Sequence, residues 1–242
     1  MAALLQITVL TYNIHKAIGN DRRCDPERIA RVCENEGADI VALQEVDNGV
    51  PRSGNQNLAA ALGERLGFYH RLGENVQLKV GAYGNATLSR WPFAQGKNID
   101  LTWTIKKKRG CLSDIINTPA GDLLFMNFHL GLSRIERHFQ IKKMLESGIL
   151  GRHKSLPVIL LGDSNERTRY LDIFMNFAGY RNAAGTLKRK IKTWPSFAPI
   201  WNLDKIFHNE KCAMVHYEVV KNQLTRVASD HLPVKAVLRI QV

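Results

Sequence analysis

The chain is short of cysteine, of acidic residues and of long apolar runs. Its four cysteines, Cys24, Cys33, Cys111 and Cys212, have neither zinc-knuckle nor redox-pair spacing. They read as free, mostly structural thiols of a reducing compartment, so the expected location is cytoplasmic. No apolar run approaches the length of a membrane span. Met1 to Leu10 lacks the basic start and long apolar core of a signal peptide. Linkers, low-complexity tracts and internal repeats are also missing, and residues 1–242 are expected to form a single domain. Acids number 22 against 34 lysines and arginines, a net charge of +12. That surplus favours a polyanionic partner, either nucleic acid or an anionic phospholipid surface. A generally basic housekeeping protein would carry the same charge, so chemistry must decide.

What is present suits a folded protein: 45% of residues are hydrophobic and 23% charged. The most informative stretch is Pro157 to Glu166, Pro-Val-Ile-Leu-Leu-Gly-Asp-Ser-Asn-Glu. Val158 to Leu161 has the length and β-branched content of a buried strand. Asp163 and Asn165 follow at alternate positions, which in an extended segment share a face. A carboxylate and a neutral amide there suit a phosphate-handling site. Alone, the same residues read equally well as an Asx turn.

Other strands end in the same way. Gln6 to Asn13 alternates and closes on the Asn13 amide. Asp39 to Gln44 is a buried run ending in Glu45, a hard oxygen ligand suited to magnesium or manganese. Leu123 to His129 ends in an imidazole. Asn202 to His208 carries Asp204, and Ser229 to Pro233 brings Asp230 and His231 before a terminal strand, Val234 to Ile240. Adjacent residues face apart on a strand, but in a turn Asp230 and His231 converge. Each group has a plain reading as a strand cap or surface residue. Independent surface residues would scatter along strands, whereas these gather at ends, as a site at one rim of the sheets requires.

Further strands are expected at Phe68 to Leu72, Ala86 to Arg90, Asn98 to Thr104 and Cys111 to Asn117. Helices are expected after Asp25-Pro26-Glu27, at Leu58 to Leu66 closed by Gly67, at Ser133 to Gly148, and at Tyr170 to Ala178. In the third, Ile135, Phe139, Ile141, Met144 and Leu145 are read as the inner side, and Arg134, Arg137, His138, Lys142 and Lys143 as outer or edge positions. Lys106 to Arg109 reads as a basic hairpin tip, either solvated or in contact with phosphate. Thr186 to Thr193, with Lys188, Arg189, Lys190 and Lys192 before Trp194, is a second basic stretch. It suits a polynucleotide, a membrane surface or an exposed loop. Many strands with a few flanking helices imply a layered α/β domain.

Taken in order, Thr11-Tyr-Asn-Ile14, Leu43-Gln-Glu-Val-Asp47, Gly84-Asn-Ala-Thr-Leu-Ser-Arg90, Asn127-Phe-His129, Leu161-Gly-Asp-Ser-Asn165, Leu203-Asp-Lys-Ile-Phe207 and Ser229-Asp-His-Leu-Pro233 resemble the endonuclease/exonuclease/phosphatase, or deoxyribonuclease-I-like, superfamily. The resemblance implies a four-layer α/β sandwich: two mixed β-sheets packed face to face, helices outside, and the site at one rim. It also implies a divalent-metal-dependent phosphodiesterase using Mg2+ or Mn2+. By resemblance Glu45 is the principal metal ligand, with Asn13 and Asp230 nearby. Asp163 orients or deprotonates the attacking water, and Asn165 donates to a phosphate oxygen. His231, oriented by Asp204, polarises the scissile phosphate, and His129 assists the leaving group.

The departures are informative. Ser164 replaces the usual bulky residue of Gly-Asp-Phe-Asn and is expected to face away, altering packing only. Ile14-His15-Lys16 and Leu43-Gln-Glu-Val-Asp47 differ from the apurinic-site endonuclease pattern, against a dedicated DNA-repair enzyme. The acid that partners the histidine matching His129 in the deoxyribonuclease I branch has no obvious counterpart, Ser89 standing near the equivalent position. Nucleic acid is the leading substrate, and a phospholipid headgroup or small phosphoester the alternative, because Leu-Gln-Glu-Val also occurs in sphingomyelinase-like members. A catalytically idle polyanion-binding protein is the third reading.

Overall fold

Alternation along Leu4–Asn13 produces the strand that lies at the centre of the first sheet. The computed structural model describes residues 4–185 and 191–241. Its strands are β1 Leu4–Asn13, β2 Ile40–Asn48, β3 Tyr69–Gln77, β4 Ala82–Ser89, β5 Phe93–Asp100, β6 Gly110–Thr118, β7 Gly121–His129, β8 Val158–Asp163, β9 Arg181–Asn182, β10 Asp204–His208, β11 Cys212–Val219 and β12 Val234–Gln241. Its α-helices are α1 Pro26–Asn35, α2 Leu58–Leu66, α3 Arg134–Leu145, α4 Ile149–Arg152, α5 Tyr170–Phe177 and α6 Gln223–Ala228.

The strands form two six-stranded sheets, ordered β11-β12-β1-β2-β4-β3 and β5-β6-β7-β8-β10-β9. Both are mixed: β1 runs parallel to β2 and β7 parallel to β8, while their other pairings are antiparallel. Three apolar clusters define four layers. Ile7, Val9, Phe125, Ile159, Leu161 and Leu238 fill the space between the sheets. Ile29, Val32, Leu58 and Leu62 pack α1 and α2 on the outside of the first sheet. Ile141, Met144, Leu171 and Met175 pack α3 and α5 on the outside of the second. The expected four-layer α/β sandwich is the observed one.

Local chemistry fixes the helix ends. The Asp25 side chain accepts from Arg28 N at 3.0 Å ahead of Pro26, and Asn57 accepts from Ala60 N at 3.1 Å. Gly67 ends α2 with φ of 66°, a left-handed conformation glycine takes without a Cβ clash.

Several expectations need correction. The second strand does not end at Glu45: it runs on to Asn48, and Glu45 is the extra residue of a β-bulge against β4, with φ of 57°. β5 lies at Phe93–Asp100 rather than 98–104, and β3 continues to Gln77. The edge strand β11, the short β9 and the helix α6 were not anticipated. In α3 the inner face carries Glu136, Arg137, Gln140, Ile141 and Met144. Ile135 and Phe139 are exposed instead. Arg137 is inside because its partners are: Nε donates to Glu166 at 3.3 Å and Nη1 to Leu132 O at 2.6 Å. Lys188, Arg189 and Lys190 lie outside the described residues. Among the described residues, no helix is long and apolar enough to cross a membrane.

Candidate active site

Strand register brings the chemistry together. Across the second sheet His129 pairs with Asp163, and Asp163 with Asp204, so adjacent strands present three of the expected site residues in one row. In the first sheet Asn13 pairs with Gln44, immediately before the Glu45 bulge. A bulge re-aims the side chain it carries, and Glu45 joins Asn13 on the wall of a cavity of about 270 Å3. Asp163, Asn165 and His129 line the same cavity from the second sheet, and Asp230 with His231 close it from the loop before β12. Asp204 is the one expected site residue off the cavity wall. It lies fully buried behind His231.

Asn13 Nδ2 donates to Asp163 Oδ2 at 3.0 Å, a bond between the rims of the two sheets. Asn165 N donates to Asp163 Oδ1 at 2.9 Å. The Asx turn is present, and with Asn165 at φ of 49° it returns both side chains to the cavity. The Asn165 side chain donates one hydrogen to Leu130 O at 2.9 Å. Ser164 faces away, its hydroxyl donating to Leu203 O at 2.6 Å. Before it, Gly162 has φ of 149°, and a Cβ there would overlap the Phe128 carbonyl.

Below the site, a buried polar network joins the sheets. Gln44 Nε2 donates to Asn127 Oδ1 at 2.9 Å, and Asn127 Nδ2 donates to Leu43 O and Ala86 O. Such a network fixes one registry of sheet on sheet, because each lost partner leaves a buried group unsatisfied.

His231 stands between two carboxylates. Its Nδ1 is 2.9 Å from Asp204 Oδ2 and its Nε2 is 3.7 Å from Asp163 Oδ2. Burial alone would push this imidazole down, but Asp204, Asp163 and Asp230 together outweigh it and hold it up, at about 10. The Asp163 carboxyl is raised to about 6 by burial, with Asp204 adding to the rise and His231, Asn13 and Asn165 opposing it. His129 goes the other way. Burial and the Arg109 guanidinium hold it well below the usual histidine range.

The partner of His129 was not anticipated. Arg109 Nη1 lies 3.2 Å from His129 Nδ1, so a neutral His129 accepts from the guanidinium and keeps its proton on Nε2, 3.4 Å from Asp163 Oδ2. Ser89 cannot take that place. It sits at the far end of β4, opposite Ile40, and its hydroxyl accepts from Trp91 N. Arg109 is buried because β6 begins at Gly110, which pairs with His129. Lys107 and Arg167 also line the cavity. The Lys106 to Arg109 run gave a sequence signal for the first two cations, but nothing marked Arg167. Trp194 Nε1 donates to Asp230 Oδ2 at 3.2 Å and orients that carboxylate.

Hard oxygen donors suited to a divalent ion are present. Glu45 is largely buried, and the neighbouring Lys16 ammonium overcomes the burial to keep its carboxyl below the usual range. A carboxylate already holding a cation, on a cavity that Asn13 and Asp230 also line, could hold a divalent ion such as Mg2+ or Mn2+. Among the described residues, one compact group of acid and imidazole ligand atoms is Asp163, Asp204 and His231. That triad is less suited to an ion, because the charged imidazole already supplies the cation between its two carboxylates.

Residues 10–231 match the Endonuclease/Exonuclease/phosphatase family. The chain belongs to that family, whose members hydrolyse phosphoesters. It is 29% identical to the uncharacterized protein YbhP of Escherichia coli K12 over 251 residues, covering 96% of each chain. Its fold is shared with the mannosyl-6-phosphatase Bt3783 of Bacteroides thetaiotaomicron, with a TM-score of 0.76 and 20% identity over 96% of this chain and 99% of that one. D. rerio TDP2 complexed with a single-strand DNA product has a TM-score of 0.72 and 19% identity over 96% and 98%.

Proposed function

We infer that the chain is a divalent-metal-dependent phosphodiesterase. The observation that carries this reading is the His129–Asp163–Asp204 row, with Asn13 bonded to Asp163 across the sheets and His231 clasped between the two aspartates. Asp163 is held by donors on both oxygens and lies beside the His231 imidazolium, the arrangement of a group that orients water and takes its proton. The charged His231 stabilises negative charge building on phosphorus, and Asp204 holds its tautomer and direction. Asn165 has a second amide hydrogen to offer a phosphoryl oxygen. His129, a neutral donor kept so by burial and by Arg109, suits hydrogen bonding to a phosphoryl or leaving-group oxygen better than full proton transfer. A divalent ion held by Glu45, with Asn13 and Asp230, would supply Lewis-acid stabilisation of the same charge.

Nucleic acid is the first substrate reading, supported by the net charge of +12 and by Lys107, Arg109 and Arg167 on the cavity wall. The D. rerio neighbour, with its bound single-strand DNA product, agrees with it. A phospholipid headgroup or small phosphoester is the second, favoured by the apolar Leu132, 75% exposed at the cavity's edge. An idle polyanion-binding protein is disfavoured by the complete set of acids and imidazoles. The free cysteines agree with a cytoplasmic location. The test is magnesium-stimulated hydrolysis of bis-p-nitrophenyl phosphate, with plasmid, RNA and phospholipid vesicles assayed side by side. Full activity in EDTA would exclude the metal-dependent reaction, and absence of turnover with retained, salt-sensitive nucleic-acid binding would leave the idle protein.

A further inference from the structure

The loop between β5 and β6 and the outer face of α3 carry exposed apolar side chains with lysines among them. Ile105, at the loop's tip, is wholly exposed, and Leu132, Ile135 and Phe139, just before and on α3, are exposed as well. Trp103 stacks on Phe139, ring centroids 5.1 Å apart at 10°. The pair walls a groove of about 690 Å3 that Lys97, Lys142 and Lys143 also line. Lys106, Lys107 and Lys108 flank the tip and are exposed. Asp100 and Glu146 are the acids of the groove, and Lys142 lies 3.8 Å from Glu146. The surface runs into the candidate active site, because Lys107 and Leu132 also line that cavity.

We propose that this surface docks the protein on an anionic lipid bilayer, with Ile105 entering the interface, the Trp103–Phe139 pair at headgroup level and the lysines on lipid phosphates. Exposed aliphatic side chains have a sink in the acyl boundary, indole sits at the headgroup level, and each lysine gains from the negative surface potential. A single-stranded nucleic acid fits less well. Bases need free aromatic faces, whereas Trp103 and Phe139 each give one face to the other, and Ile105, Leu132 and Ile135 offer nothing to stack on. A second copy of the chain is opposed by like charge on both faces. Docked this way, the cavity mouth faces the headgroup layer. The surface goes beyond the proposed reaction, since binding requires no turnover.

The test is flotation of the purified protein with vesicles of phosphatidylcholine alone and with added phosphatidylserine, at low and high salt. Binding is expected only to the anionic vesicles, and weaker at high salt. Ile105→Asp is expected to lower partition at least about tenfold. Lys106→Glu with Lys108→Glu is expected to lower it at least about tenfold as well. Hydrolysis of bis-p-nitrophenyl phosphate should be unchanged in both variants, which shows that fold and site are intact. Equal binding to both vesicles, no binding to either, or wild-type partition of Ile105→Asp would overturn the proposal. So would single-stranded DNA binding that Ile105→Asp abolishes while vesicles stay unbound. Vesicle binding by a protein that hydrolyses nothing would overturn the proposed reaction and leave the docking surface standing.

Discussion

His231 Nδ1 and Asp204 Oδ2 lie 2.9 Å apart, with both residues buried and Asp163 on the imidazole's other side. The ring is charged over most of the pH range because two carboxylates flank it. Its raised value sets an alkaline limit on activity near 10, where the cation is lost. Asp163 sets an acid limit near 6, where the base is protonated. The expected profile of kcat/KM is a bell with limbs near these values, read with bis-p-nitrophenyl phosphate. For stability the His231 sign is that of a raised base. Its contribution is complete below the unfolded value of about 6.5 and is lost as pH rises through about 10.

Asp204→Asn removes the larger carboxylate influence on His231 while keeping the shape. The alkaline limb should move to lower pH, and kcat should fall about a hundredfold. A pH–rate profile of this variant checks both. An unmoved limb would mean that Asp204 does not govern the imidazole.

Glu45 carries the expected metal position, and Lys16 competes for it. Glu45→Gln should raise the magnesium concentration for half-maximal activity at least about tenfold, whereas Lys16→Met should lower it. Direct manganese binding, followed by its paramagnetic signal, should move in the same directions without reference to turnover.

Gly162→Ala places a methyl group against the Phe128 carbonyl at a backbone angle that disfavours side chains. A loss of about 3 kcal/mol or more is expected by denaturant unfolding. Asn127→Leu, beneath the site, should cost about 2 kcal/mol because Gln44 and the Leu43 and Ala86 carbonyls lose a partner.

Much of this site was legible because its residues close strands. Asn13, His129 and Asp163 each follow an apolar run, and periodicity shows where such runs stop. The place of Glu45 on the cavity is legible for a partly wrong reason. Gln-Glu-Val-Asp reads as a strand giving out, but the strand continues past a bulge, and pattern alone does not reveal a positive φ at a glutamate. In sequence Arg109 is one more cation of a basic tip, either solvated or in contact with phosphate. Only the pairing of Gly110 with His129 turns it inward. Arg137 was read as outer or edge because helical periodicity puts charge in water, and its burial depends on Glu166, far away in sequence. β11 escaped notice because it is a half-exposed edge strand whose alternation breaks at a bulge between Met214 and His216.

The most direct test compares Asp163→Asn and His231→Gln with the parent chain, using magnesium and bis-p-nitrophenyl phosphate after confirming that all three unfold at similar temperatures. One site formed by both sheets requires kcat/KM to fall at least about a thousandfold in each variant. The double variant should then lose little more than either single one. Wild-type turnover in either single variant would contradict it.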